Sequence, residues 1–261
     1  MERIALIGSS LCYLFALGHT LFSLKRGLFQ PGRFNIGAVT AGAFLQGWYL
    51  SMLGRDIHAC PIRTIPQILV FLGWSMALFY LLIGPSYRLS LMGAFTAPLV
   101  LLFQLAALFL PAAPAVVAKG GVNPWVETHA ALSLVAYGAF GLACVAGFMH
   151  LVQERQLKSR RPGILFHYLP PVTTLAVTVR RLLLLGFLLL TLSYAAGLAA
   201  HLQVSRTKDG FSALIWVLYA GLLAGSWTGR LGNRKTSYGA ILVFLLALLL
   251  LPLIQRLSTA S

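Results

Sequence analysis

Six histidines, five acidic residues and three cysteines are most of what this chain offers for acid–base chemistry or metal binding. Imidazole carries protons near neutral pH and is the commonest metal ligand. His129 follows Trp125-Val126-Glu127-Thr128 and opens a long apolar block. His201, in Ala199-Ala200-His201-Leu202-Gln203, closes the next such block. Two imidazoles on facing helices can hold an iron porphyrin from both sides, so a bis-histidine haem site is one reading of this pair. The competing reading is interfacial histidine, with its polar edge in water and its ring among lipid headgroups. Zinc fits less well, because only Glu127 and Asp209 stand near and no HExxH motif is present. Either carboxylate could orient an imidazole by accepting its second N–H. Both also precede apolar blocks, where a helix dipole favours negative charge. The cysteines, Cys12, Cys60 and Cys144, form no CxxC pair. No P-loop, nucleophile elbow or serine triad is present.

These groups must be positioned by elements that are mostly oil. The chain is 59% hydrophobic and 10% charged, with mean hydropathy +0.84. Soluble domains are about 25% charged and bury less apolar surface, so this composition indicates a polytopic membrane protein. A spanning helix needs about 20 mostly apolar residues. Eight blocks qualify, roughly 4–24, 36–53, 68–85, 90–111, 129–152, 182–202, 211–230 and 238–255. The predicted fold is therefore an all-α bundle of about eight transmembrane helices, forming a single domain over 1–261. The first block reads as an uncleaved helix rather than a signal peptide. Most prolines fall near block ends; Pro98 and Pro252 do not, and Pro98 predicts a kink.

Charge gives the orientation. The loops after blocks 1, 3, 5 and 7 hold 13 of the 20 Lys and Arg residues. Positive loops stay cytoplasmic, which places both termini outside. The stretch Gln153–Arg181, with six basic residues, is the strongest inward signal. In this frame His58, His129 and His201 lie near the outer face, and His19, His150 and His167 near the inner one. Intramembrane His19 and His150 read either as a haem relay or as interhelical hydrogen-bonding groups. His167, in the basic loop, reads as a solvated residue. Trp48, Trp125 and Trp227 fall where interfacial belts form. The net charge of +15 lies beside hydrophobic spans, so anionic lipid headgroups, not nucleic acid, are the expected partner.

The stretch Thr128-His129-Ala130-Ala131-Leu132-Ser133-Leu134-Val135-Ala136-Tyr137 resembles the integral membrane cytochrome c assembly family, which includes CcsA, CcmC and the HemX- and YpjD-type proteins. The likeness continues in Gln153-Glu154-Arg155-Gln156-Leu157-Lys158, Leu169-Pro170-Pro171 and Phe211–Ala220. In the N-terminal half, His58-Ala59-Cys60-Pro61, the run Ile68–Trp74 and Gly93–Pro98 are similar to that family's segments before the third and fourth helices. The resemblance implies an eight-helix protein that handles or senses haem near the outer face. It also implies that His129 matches a proposed axial ligand. Two departures stand out. The loop Gln203–Gly210 lacks the tryptophan-rich haem motif of the assembly enzymes. Thr236, in Thr236-Ser237-Tyr238-Gly239, stands where the family has a second histidine. The chain thus looks most like the HemX/YpjD-type branch, and haem delivery as CcsA performs it does not follow.

The expected function is a haem-binding protein of the bacterial inner membrane that takes part in cytochrome c maturation. It would act as carrier or assembly factor rather than as an enzyme. His129 and His201 are the candidate iron ligands, with His58 as a further cofactor-binding residue. Other maturation proteins or apocytochrome are the expected partners. The alternatives are a membrane regulator of haem synthesis, with the basic loop docking a cytoplasmic enzyme, and an accessory protein of a transporter. Against transport stands the absence of any acidic residue at the middle of a block.

Overall fold

The computed structural model describes residues 2–26, 33–83, 91–110, 123–159, 169–200 and 206–259. Eight helices run through them: α1 (Glu2–Lys25), α2 (Arg33–Ile57), α3 (Ile65–Ile83), α4 (Met92–Phe109), α5 (Pro124–Ser159), α6 (Val172–Ala199), α7 (Arg206–Trp227) and α8 (Asn233–Thr259). Each is long and apolar enough to cross a membrane. No strand occurs among the described residues. The all-α polytopic fold expected from hydropathy is therefore what forms. Its outward surface carries many bare side chains, among them Phe15, Phe44, Phe109, Leu188, Leu198 and Leu249. Such a face is stable only against lipid.

Helix ends depart from the expected bounds where polar residues extend a helix beyond the oil. The stretch expected as the loop Gln153–Arg181 is largely helical, since α5 continues to Ser159 and α6 begins at Val172. Hydropathy marks only the apolar part of a helix, whereas Gln, Glu, Arg, Leu and Lys are all strong helix formers. Glu154 and Lys158, four residues apart on this extension, form an ion pair of 2.6 Å. With 36 residues, α5 is about 54 Å long, well over a bilayer's hydrocarbon thickness. Its start is encoded by Asn123-Pro124. The Asn123 side chain accepts the Trp125 N–H at 3.0 Å, and Pro124 occupies the first helical position. Pro98 and Pro252 both lie inside helices. Each removes one ladder donor.

The chain divides into two compact units, Met1–Gly121 with Val152–Val172, and Val122–Leu151 with Thr173–Ser261. In the first, α1 packs on α2 and α4, and α3 on α2 and α4. Buried polar side chains tie these helices together. Gln104 donates to Ser9 Oγ at 2.8 Å and accepts from Ser10 at 2.9 Å. Ser9 donates to the Gly42 carbonyl at 2.8 Å. Gln46 accepts from Tyr13 at 3.0 Å and donates to the Val70 carbonyl at 2.8 Å. In oil these groups have no water to fall back on, so each needs its partner.

The second unit is built around α5. Its central stretch is rich in Ala and Gly, which lets neighbouring backbones approach. A Cβ on Gly186 of α6 would lie 2.5 Å from the Phe140 ring, so α6 rests directly on that ring. Phe140 is stacked on Tyr219 of α7, with ring centroids 3.5 Å apart and planes 5° from parallel. On α8, the Ser237 carbonyl lies 3.2 Å from where a Cβ on Gly147 would stand. Trp216 of α7 donates to Thr191 of α6 at 3.1 Å.

Candidate functional site

His129 stands in the second turn of α5, half-buried against α6. Its Nδ1 lies 2.7 Å from the Ser193 carbonyl oxygen. A carbonyl only accepts, so Nδ1 carries the proton and Nε2 keeps the lone pair. That is the tautomer a metal-binding imidazole needs, with its second nitrogen held by a backbone carbonyl. Gly197, one turn beyond Ser193, makes the docking possible. A Cβ there would stand 2.9 Å from Nδ1.

Two hydroxyls lock the same contact. Ser193 donates to the His129 carbonyl at 2.8 Å. Ser133 lies 2.9 Å from that carbonyl and 2.6 Å from Ser193 Oγ. With one proton each, one hydroxyl serves the carbonyl and the other serves its neighbour. Neither Ser133, Ser193 nor Gly197 was a candidate from sequence. Ser133 carried a signal, being a hydroxyl one turn after His129 in an apolar block. Ser193 acts partly through its main chain, which no residue type announces. The group that holds Nδ1 is the Ser193 carbonyl; Glu127 sits in the first turn of α5.

The expected neighbourhood of α5 and α6 is present, and α6 carries Gly197 to the His129 ring. His201 lies outside the described residues, as does His167, and the side chain of Asp209 is likewise outside them. His58 belongs to the first unit and terminates α2. Its φ is 50°, a left-handed conformation. The His58 N–H reaches the Arg55 carbonyl at 3.4 Å, and the Ala59 N–H reaches the Gly54 carbonyl at 3.2 Å. This pairing is a Schellman cap, with His58 where glycine or asparagine usually sits. Beyond it, the Gln67 side chain accepts the N–H groups of Arg63 and Thr64 at 2.8 and 3.2 Å. Thr64-x-x-Gln67 supplies the returning half of a capping box for α3. His58 thus has a backbone duty besides its exposed imidazole.

His19 lies between Phe15 and Phe34, at ring-centroid distances of 6.3 and 6.2 Å. His150 is buried near the far end of α5, its Nδ1 3.1 Å from Ser237 Oγ. Ser237 directly follows Thr236, the position expected to match a second family histidine. His150 is 21 residues from His129, about 31 Å along the helix. Thr236 and His129 therefore stand at opposite ends of α5 and belong to different sites. No group of three His, Cys, Asp or Glu side chains suited to a metal ion occurs among the described residues. The donor set at His129 fits a group held by one imidazole nitrogen, as haem is, rather than a bare ion held by a protein cage.

Over residues 63–258 the chain matches the family described as Cytochrome C assembly protein. It is 28% identical to Protein HemX of Brevibacillus brevis over 72% of each chain. It is 31% identical to an uncharacterized 28.8 kDa protein of Azospirillum brasilense, where the match spans 54% of each chain. It is 28% identical to the cytochrome c biogenesis protein CcsA of Mesostigma viride, over 44% of this chain and 40% of that one.

Proposed function

The chain belongs to the cytochrome c assembly protein family, and from that premise we propose that it binds haem through His129 and His201 and presents it during cytochrome c maturation. Family membership supports the role in cytochrome c biogenesis. The fixed imidazole of His129 supports the haem-binding part. Its proton is committed to the Ser193 carbonyl, so Nε2 offers a lone pair with its direction set in advance. Preorganised ligands bind more tightly because less freedom is lost on binding. Haem bound there would supply an iron with axial positions for imidazole nitrogen. In sequence His201 comes two positions after Ala199, the last residue of α6, and it would supply the second nitrogen. His58 is the third outer histidine of this reading. Binding and presentation need no bond made or broken by the chain.

The protein is a multi-pass membrane protein. The reading places it in a bacterial inner membrane as one domain, with both termini outside and with maturation proteins or apocytochrome as clients. An absorption spectrum of the purified, haem-supplemented protein tests the site. A Soret band with sharp reduced bands is expected, and it should be lost in both His129→Ala and His201→Ala. Unchanged spectra in the two variants would sink the assignment.

A further inference from the structure

The end of the second unit remote from His129 presents five cations. They are Arg180 and Arg181 of α6, Arg230 in the turn between α7 and α8, and Arg234 and Lys235 in the first turn of α8. Four of them are exposed, and Arg180 is half-buried. Within this unit the one described carboxylate side chain is Glu127, at the His129 end of α5. By sequence the eight Lys and Arg residues of this unit outnumber its two acidic residues, Glu127 and Asp209.

The patch is held in shape, which separates it from charge that merely sets topology. Gly229, with φ 73°, turns the chain between α7 and α8. The Leu231 N–H closes the turn on the Gly225 carbonyl at 2.8 Å. Leu231 also packs where a Cβ on Gly225 would stand. Arg180 of α6 donates to the side-chain oxygen of Asn233 at the start of α8. The Arg234 guanidinium lies over the Tyr238 ring, 5.8 Å from its centre. Arg180 is thus joined to the start of α8, and Arg230, Arg234 and Lys235 lie within three residues of that contact in sequence. Guanidinium groups match phosphate oxygens in pairs.

We infer that this surface is a binding site for the phosphate headgroup of an anionic phospholipid, placed between α6 and the α7–α8 turn. The apolar flanks continue directly beside it, with Trp227, Tyr238 and Leu242 exposed. A lipid satisfies both parts at once, its phosphate on the cations and its acyl chains along the oil. A soluble phosphate satisfies only the first. Basic pockets between transmembrane helices are the usual seats of doubly charged headgroups.

Native mass spectrometry of the full chain in neutral detergent tests this, with cardiolipin, phosphatidylglycerol or phosphatidylcholine added. One anionic lipid should stay bound per chain, with phosphatidylcholine lost. The combined variant Arg230→Gln, Arg234→Gln and Lys235→Gln should bind cardiolipin at least about tenfold more weakly. Asn233→Ala, which frees Arg180 without changing any charge, should weaken it less. Arg55→Gln, in the first unit, should leave it unchanged. Equal retention of cardiolipin by the triple variant, or equal retention of phosphatidylcholine by the parent, overturns the site. Displacement of the lipid by millimolar inorganic phosphate also overturns it, because the surface would then be a soluble-anion site.

Discussion

At the scale of single residues, His129 depends on what α6 does not carry. Gly197→Ala would put a methyl group 2.9 Å from Nδ1, closer than real Cβ contacts allow. The ring must then move, and the Ser193 contact opens. Haem titration of this variant should show an affinity loss of about tenfold or more, comparable to losing an outer partner of a metal ligand. Ser193→Ala is the informative contrast. It keeps the carbonyl that fixes the tautomer and deletes only the hydroxyl. Stability should fall by about 1 kcal/mol, while the ¹⁵N spectrum of the haem-free protein should still report a protonated Nδ1. Loss of that signature would show that the carbonyl alone does not hold the ring. His58 offers a different separation. His58→Gly keeps a comfortable left-handed cap, whereas His58→Val strains it by roughly 1–2 kcal/mol. If the imidazole matters to haem, both variants lose spectrum; if only the cap matters, thermal unfolding singles out the valine variant.

At the scale of helices, hydropathy in the sequence was enough to count and roughly place all eight. It could not find the last turns of α5, which are polar, or the first turns of α6, which Arg180 and Arg181 separate from the apolar run that follows. It also could not show which helix faces which, since apolar residues are spread around each span. The decisive contacts are made by small residues. Gly186→Ala would force a methyl group to within 2.5 Å of the Phe140 ring. That ring is pinned by Tyr219 and cannot swing aside. An overpacking cost of about 1–3 kcal/mol is expected, read as a lower unfolding temperature in detergent. Pairing the change with Phe140→Leu should recover part of the loss. In the first unit, Gln46→Leu strands the Tyr13 hydroxyl and the Val70 carbonyl side contact together. A cost of roughly 1–3 kcal/mol follows for buried groups left without partners.

Over the whole molecule, the proposed reading has both termini on the outer side, as the charge bias in the sequence leads one to expect. Fusing alkaline phosphatase to either end should give active enzyme, and a fluorescent protein that matures only in the cytoplasm should stay dark there. The opposite pattern would put His129 on the inner face and remove the outer-side haem reading with it. Family membership was legible before any coordinates, because Thr128–Tyr137 is a distinctive run in otherwise repetitive oil. The Ser193 carbonyl that holds the His129 ring was not, because a main-chain group leaves no trace in residue type.

A helix is also a screw, and α5 is threaded at both ends. His129 is seated on α6 and His150 on α8. The 21 residues between them fix angular phase as well as distance. Each added residue turns one end by about 100° relative to the other. A single alanine inserted midway would therefore leave at most one of the two imidazoles in its seat, although hydropathy and charge would be unchanged. Span length in this protein is thus set by phase between two docking points, more tightly than by the thickness of the membrane.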